Sequence, residues 1–171
     1  MSKIAVLMTN MFEDVEYTKP AEQFSNAGHE LTVISHKAGE SLTGKQQDAT
    51  VTSDKGIDDV NAEDFDVLFI PGGFSPDELR ADDRFVNFTK KMMYLNKKTL
   101  VICHGPQLLI TAEALHGRNI TGFKSIQTDL KYAGANVFDE EVVVCGGTLV
   151  SSRNPDDIPA FIEKSLSVMD S

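Results

Sequence analysis

Thr99-Leu-Val-Ile-Cys-His-Gly-Pro106 is the stretch that decides the fold of this chain. Its first five residues, TLVIC, form an apolar run long enough for one buried strand. The run stops at His-Gly-Pro, and apolar residues return at helical spacing in QLLITAEAL (107–115). The pattern therefore predicts a strand, a sharp turn and a helix, with Cys103 at the turn. The nucleophile of α/β-hydrolases is lifted clear of its sheet by the same layout.

The position of Cys103 favours a reactive thiol. Unpaired N–H groups and the helix dipole stabilise an anion at a helix N-terminus, and such a site can lower a cysteine pKa from about 8.5 to about 3.5–7.5. His104 is a candidate base, Gly105 lets another backbone segment approach, and Pro106 suits a first helical position. The alternative is a buried cysteine that merely ends a core strand. The His-Gly-Pro neighbours favour the reactive interpretation.

The composition indicates one soluble globular domain. The chain has 171 residues, of which 41% are hydrophobic and 25% charged. A net charge of -10 argues against nucleic-acid binding. No apolar run is long enough for a membrane span, and acidic residues follow the N-terminus too soon for a signal peptide. Two cysteines are too few for a disulfide framework, so a cytoplasmic location is expected. Neither a metal nor another cofactor is expected, because no zinc-ligand spacing occurs.

Strand and helix patterns alternate along the chain, which predicts a doubly wound, mostly parallel sheet in a three-layer α/β/α sandwich. Apolar runs predict strands at 3–8, 30–35, 66–70 and 99–103. Hairpins are predicted within 37–52 and at 141–151, and a short strand at 124–126. Helices are predicted at 17–27, 76–80, 82–95, 107–115, 128–133 and from Asn154-Pro155 to 169.

Three predicted strands end in unusual residues, and such ends meet at one edge of a parallel sheet. The residues are Glu13 and Glu16, Gly72 and Gly73, and Cys103 with His104. The two glycines could leave backbone N–H groups free as an oxyanion hole, although a simple tight turn is the alternative.

The acidic residues after the first strand are interpreted individually. A carboxyl beside a thiolate should be pushed towards its neutral form, so Glu16 could donate a hydrogen bond to sulfur. Asp14 is interpreted as a solvated acid in the first turn of a helix. The second cysteine, Cys145, lies in the apolar run EVVVC and is interpreted as a core residue.

Six segments together resemble the PfpI family of the ThiJ/PfpI superfamily, and in particular its small stress-protein branch. They are FEDVEY (12–17), NAGHELTVIS (26–35), LTGK (42–45), FDVLFIPGG (65–73), VICHGPQLLI (101–110) and VSSRNP (150–155). The resemblance implies a flavodoxin-like sandwich that assembles as dimers or larger homo-oligomers. Activities described for this family are peptidase, glyoxalase and deglycase.

The resemblance also implies roles for individual residues. Cys103 matches the nucleophile and His104 its base or partner, while Glu16 matches the carboxyl beside the sulfur. The amides of Gly73 and His104 match the oxyanion donors. The third member of the family's triad is a Glu that a neighbouring subunit contributes, and Asp77, which is one methylene shorter, stands at the matching place.

Two further residues are expected to line the substrate site, Glu13 and Phe123. Some relatives carry a Tyr where this chain has Phe123, and the missing phenol weakens a peptidase interpretation.

Three functions remain open from the sequence. The first is a cysteine-dependent enzyme acting on a small carbonyl compound or a glycated adduct, in which a thiolate adds to an aldehyde and His104 shuttles the proton. The second is a redox sensor or chaperone in which Cys103 is oxidised. The third is an intracellular peptidase, which needs a site open to peptides.

Overall fold

A seven-stranded, mostly parallel β-sheet lies at the centre of the computed structural model, which describes residues 1–171. In chain order the strands are β1 (Lys3–Leu7), β2 (Glu30–Ser35), β3 (Ser41–Thr43), β4 (Thr50–Thr52), β5 (Lys55–Gly56), β6 (Val67–Ile70), β7 (Lys98–Ile102), β8 (Asn119–Ile120), β9 (Asn136–Val137), β10 (Val143–Cys145) and β11 (Leu149–Ser152). The helices are α1 (Asp14–Asn26), α2 (Ser75–Leu79), α3 (Asp83–Tyr94), α4 (Pro106–Thr111), α5 (Gln127–Tyr132) and α6 (Ile158–Met169). None of these helices is long and apolar enough to cross a membrane.

The strand order confirms the predicted flavodoxin-like topology. The order is β10-β11-β7-β6-β1-β2-β5, and every neighbouring pair is parallel except β10 with β11. The five main strands thus follow the 2-1-3-4-5 order of a doubly wound sheet, whose ligand crevice lies outside the carboxyl ends of the strands. The predicted hairpin within 37–52 is also present, as the antiparallel pair β3–β4.

Successive side chains along each strand point to opposite faces of the sheet, so one apolar core forms on each face. Ile4 and Val6 of β1 pack in the core under α1 and α6, whereas Ala5 and Leu7 pack in the core under α3 and α4. Because both faces are covered, the central strands are apolar throughout, which is the reason that their positions could be predicted from continuous runs.

The helix after the turn at Cys103 is shorter than its apolar spacing predicted. It ends at Thr111, because Glu113 takes a left-handed conformation with φ 56°. The Glu113 N–H then donates to the Ile110 carbonyl at 3.0 Å and the Ala114 N–H to the Leu109 carbonyl at 3.1 Å. This pattern normally uses glycine, so the sequence carried no stop signal there.

The short strand predicted at 124–126 is wrong. Lys124–Ile126 forms a 3₁₀ turn instead, closed by a hydrogen bond of 3.0 Å from the Ile126 N–H to the Phe123 carbonyl. The turn brings this segment over the carboxyl end of β7, since the Phe123 N–H donates to the Cys103 carbonyl at 2.8 Å.

Candidate active site

Cys103 follows β7 directly and has a left-handed backbone with φ 61°. Two long-range hydrogen bonds hold it there. Its N–H donates to the Ser152 carbonyl at 3.0 Å, and its carbonyl accepts from the Phe123 N–H. Gly105 is required at the turn, because a methyl group there would lie 2.5 Å from the Ile70 carbonyl oxygen. A left-handed non-glycine residue costs of order 1 kcal/mol or more, which the surrounding contacts offset.

Glu16 and Cys103 meet across Gly72. Helix α1 begins at Asp14, three residues earlier than predicted, and this places Glu16 in its first turn, fully buried. Glu16 Oε1 accepts a hydrogen bond of 3.0 Å from the Gly72 N–H, while Oε2 is buried without a partner. A methyl group on Gly72 would lie 2.5 Å from Oε1 and 2.7 Å from Cys103 Cβ, so only glycine fits between them.

Burial raises the pKa of Glu16 to about 8; the neighbouring Cys103 thiol and the Gly72 N–H oppose the shift, and the charge of Glu13 adds to it. Glu16 therefore holds a proton at pH 7, as the sequence predicted. The predicted lowering of the Cys103 pKa is wrong. Burial raises the pKa of this thiol, and so does the charge that Glu16 carries once it ionises above pH 8, against the N–H groups of Gly73 and His104. Since two adjacent buried groups resist carrying two charges, the pair retains at least one proton at neutral pH.

His104 lies beside the sulfur. Its Nδ1 is 3.4 Å from Cys103 Sγ, and its ring stacks on Phe123 with a centroid distance of 4.8 Å. Burial lowers the pKa of His104, so its imidazole is neutral at pH 7 and can accept a proton. Ser125, which no sequence pattern indicated, lies with its Oγ 3.3 Å from Nε2 of the same ring.

Asp77 lies apart from His104 within this chain. It is an exposed residue of α2 and forms no hydrogen bond with the imidazole, and its charge acts on the pKa of His104 only from a distance. A single chain therefore orients His104 through Ser125. That a second copy supplies Asp77 stays a prediction.

Of the predicted oxyanion donors, Gly73 and His104 flank the sulfur, whereas the prediction for Gly72 is wrong because its N–H donates to Glu16 Oε1. Neither the Gly73 N–H nor the His104 N–H donates to a backbone carbonyl, and both act to stabilise negative charge at Cys103. Gly73 has φ 79°, and a methyl group there would lie 2.4 Å from the Met11 carbonyl oxygen. Glycine at this position thus permits a close approach that leaves its amide free.

A small pocket of about 110 Å³ opens onto the sulfur. It is lined by Glu13, Glu16, Lys45, Gly73, Phe74, Cys103, His104, Phe123 and Pro155. Glu13 and Phe123 are here as predicted, but Lys45, Phe74 and Pro155 were missed. No three His, Cys, Asp or Glu side chains of the chain are placed to hold a metal ion.

The interpretation of Asp14 as a solvated acid is wrong. Its side chain is 2% exposed and accepts hydrogen bonds from the N–H groups of Gln46 (2.8 Å), Asp48 (3.0 Å) and Ala49 (2.9 Å). Burial alone would raise the pKa of Asp14, but these backbone bonds outweigh it and lower the pKa. Gly44 completes the contact, because a methyl group there would collide with the carboxylate. Asp14 thus fixes the loop 44–49 at the rim of the pocket.

Substitution Asp14→Ala is expected to destabilise the protein by about 2–4 kcal/mol, since three backbone donors lose their acceptor. Asp14→Asn keeps one acceptor oxygen and should cost less. The contribution of Asp14 is present above its unfolded pKa of about 3.9 and is lost as pH falls through its lower folded pKa. Urea denaturation at pH 7 and pH 3 measures both effects. Equal stabilities of Asp14→Ala and the parent at pH 7 would contradict the anchoring role.

Cys145 is half-buried rather than a fully buried core residue. Its Sγ accepts hydrogen bonds of 3.3 Å from Arg118 Nε and of 3.3 Å from the Asn119 N–H. Burial opposes these bonds, but they outweigh it and lower the pKa of Cys145. The apolar run EVVVC gave no indication of this environment, because its donors come from Arg118 and from Asn119 at the start of β8, a strand that was not predicted.

This fold and site define the class of the protein. Residues 2–168 match the DJ-1/PfpI family, and the chain belongs to it. The relatives include General stress protein 18 of Bacillus subtilis (strain 168), which is 61% identical over 168 residues, with 98% of each chain covered. Protein/nucleic acid deglycase 2 of Escherichia coli (strain K12) is 51% identical, with 98% of this chain and 97% of the relative covered.

The names of similar proteins point to more than one activity. A Bacillus subtilis relative named Putative cysteine protease YraA is 51% identical, with 98% of each chain covered. Among solved structures, a two-domain protein of Anabaena variabilis with DJ-1/ThiJ/PfpI-like and ferritin-like domains superposes with a TM-score of 0.95 at 35% identity. The match covers 98% of this chain and 50% of that protein.

Proposed function

We propose that this protein is a cysteine-dependent enzyme that acts on small reactive carbonyl compounds or their adducts, with glyoxalase- or deglycase-like chemistry at Cys103. The observation that carries the proposal is the group around the sulfur: a neutral imidazole at 3.4 Å, a buried carboxyl that holds a proton, and two free backbone N–H groups. The names of the two relatives that refer to stress and to deglycation support this choice.

The first step is addition of the thiol to an aldehyde. His104 Nδ1 takes the proton from Sγ as the sulfur forms a bond with the carbonyl carbon, and the π electrons move to oxygen. The Gly73 and His104 N–H groups stabilise the resulting oxyanion. His104 then returns the proton to this oxygen, which gives a hemithioacetal. Glu16, protonated throughout, adds no second negative charge beside the reacting atoms.

An α-oxo aldehyde can react further. With methylglyoxal, His104 removes the proton from the carbon bonded to sulfur, and the electron pair moves to the adjacent carbonyl oxygen to give an enediolate. His104 returns this proton to the neighbouring carbon, and the hydroxyl proton on the carbon bonded to sulfur passes to the neighbouring oxygen, which leaves a thioester of lactic acid. Water hydrolyses this thioester to lactate and free Cys103, so that methylglyoxal plus water gives lactic acid with no oxidant or reductant.

Peptide hydrolysis is disfavoured by the size and chemistry of the pocket. A volume of about 110 Å³ suits a compound of a few heavy atoms better than an extended peptide. Phe123 stacks on His104 where a phenol would have supplied another donor.

The proposed function is tested by incubating the purified protein with methylglyoxal and with a methylglyoxal-treated lysine peptide. We expect lactate from the free compound, from the adduct, or from both, and none with Cys103→Ser. Loss of the adduct at the rate at which free methylglyoxal is consumed would indicate glyoxalase chemistry alone. Absence of lactate from both substrates would exclude the proposed function.

Asp77→Asn is expected to lower kcat about tenfold with little change in KM, because His104 loses an orienting acid from a second copy. Ser125→Ala provides the comparison within one chain. Steady-state kinetics and light scattering at micromolar concentration test this together. A monomer, or an Asp77→Asn variant with the kinetics of the parent, would leave Ser125 as the residue that orients His104.

A further inference from the structure

Lys45 is the one cationic side chain of the pocket around Cys103, and the proposed reaction does not use it. It forms no salt bridge with a carboxylate of the chain. Its Nζ instead lies 5.0 Å from the centroid of the Phe74 ring, which also lines the pocket. The ammonium group is therefore available to a ligand.

The position of Lys45 is fixed by its backbone. Its N–H donates to the Phe12 carbonyl at 2.7 Å, and the Gly44 N–H donates to the Ala49 carbonyl at 2.9 Å. The buried Asp14 carboxylate holds the other side of the same loop. A loop held at both sides presents a lysine at a defined place, in contrast to a lysine on a free surface loop.

Two charged side chains line the pocket, Glu13 and Lys45. Glu16 holds a proton at pH 7, and the carboxylate of Glu13 already accepts a hydrogen bond of 3.2 Å from Gln46 Nε2. Lys45 lies close enough to His104 to lower the pKa of the imidazole. A bound molecule thus meets one carboxylate that Gln46 engages and one ammonium group that forms no salt bridge.

We propose that Lys45 makes this pocket selective for short carbonyl compounds that carry a carboxylate, by pairing with that carboxylate while the carbonyl carbon lies at Cys103 Sγ. The term substrate for such a compound rests on the proposed function, but recognition of the anion does not. On addition, the sulfur–carbon bond forms, the π electrons of the carbonyl move to its oxygen, and the thiol proton passes through His104 to that oxygen. The carboxylate is unchanged and remains at Lys45.

The test uses two probes of nearly equal size that differ in charge, iodoacetate and iodoacetamide. Each alkylates the sulfur: the sulfur–carbon bond forms, iodide leaves with the carbon–iodine electron pair, and the thiol proton goes to solvent. Because both probes attack the same thiolate, the ratio of their rates is independent of the Cys103 pKa. Peptide mapping separates modification of Cys103 from that of Cys145.

Lys45→Met is expected to lower the iodoacetate-to-iodoacetamide rate ratio at Cys103 about threefold to tenfold at low ionic strength. Lys45→Arg should keep the ratio near that of the parent, and Lys45→Glu should lower it further. Lys164→Met is the matched control, since it removes the same charge from an exposed position of α6. About 0.5 M NaCl should lower the ratio in the parent and have little effect in Lys45→Met.

A ratio that is unchanged in Lys45→Met, or that falls equally in Lys164→Met, would overturn the inference. Because alkylation needs no turnover, the two proposals fail separately. A Lys45-dependent ratio in a protein that makes no lactate would exclude the proposed function and keep the anion site. Lactate formation with an alkylation ratio that does not depend on Lys45 would keep the proposed function and exclude the anion site.

Discussion

Cys103→Ala is expected to reduce lactate formation from methylglyoxal by at least about 1,000-fold, because no other group in the pocket can form the hemithioacetal. The fold should persist, since alanine takes the same backbone conformation as cysteine and only the sulfur of this buried residue is lost, where it lines the pocket. We expect the midpoint of thermal unfolding to move by less than about 4 °C. Lactate assays and calorimetry on the same preparation measure both quantities.

Cys145→Ala is the control for this experiment. This variant lacks the other thiol, which lies on β10 and is separated from β7 by β11. It should retain the activity of the parent. A folded Cys103→Ala protein that still forms lactate would show that the sulfur is not the nucleophile. Loss of activity in Cys145→Ala alone would show that the reactive thiol is Cys145, beside Arg118.

Glu16→Gln is expected to make the protein more stable at alkaline pH and less active at neutral pH. The folded pKa of Glu16 is about 8 against about 4.3 in an unfolded chain, so the folded state holds one more proton between these values. Stability therefore falls as pH rises, by about 3–4 kcal/mol from pH 5 to pH 8 for this group alone. Glutamine removes this dependence because it does not titrate.

The activity of Glu16 variants should depend on whether the side chain at position 16 can donate a hydrogen bond to the reacting sulfur. In the parent, turnover that needs a protonated Glu16 declines as pH passes about 8. Glu16→Gln can still donate and should lose this decline at a cost of about tenfold in kcat, whereas Glu16→Leu cannot donate and should lose about 100-fold or more. Urea denaturation and kcat profiles from pH 5 to pH 9 measure the two effects. Parallel pH profiles for the parent and Glu16→Gln would exclude the carboxyl as the titrating group.

The residues at strand ends could be predicted because continuous apolar runs locate buried strands. Gly73 and Cys103 follow such a run within three residues and Glu16 follows one after nine, and parallel topology brings the ends of those runs together. The direction of the Cys103 pKa could not be predicted in the same way. It depends on the depth of burial and on a carboxyl from another segment, and neither is visible in CHGP itself.

The residues that were missed are positioned by segments whose local pattern carries no sign of the site. Ser125 reaches His104 because 124–126 turns as a 3₁₀ helix, although its composition resembles a short strand. Lys45 reaches the pocket because Asp14, some thirty residues earlier, accepts three hydrogen bonds from its loop. Long-range hydrogen bonds of this kind do not change the spacing of apolar residues along the chain. The hydrophobic periodicity of the sequence therefore does not reveal them.

The hairpin β3–β4 is a separate two-stranded sheet, so the reacting groups and the ammonium group of the pocket belong to different structural elements. The groups that make and break bonds lie at the ends of the main parallel sheet, whereas the ammonium group at the pocket rim comes from the loop between β3 and β4. Because that loop adds no strand to the main sheet and is held through backbone N–H groups, its side chains at 45–48 can be varied while its length and Gly44 are kept. Exchange of residues 45–48 between members of this family is therefore a route to new substrate ranges on an unchanged catalytic frame.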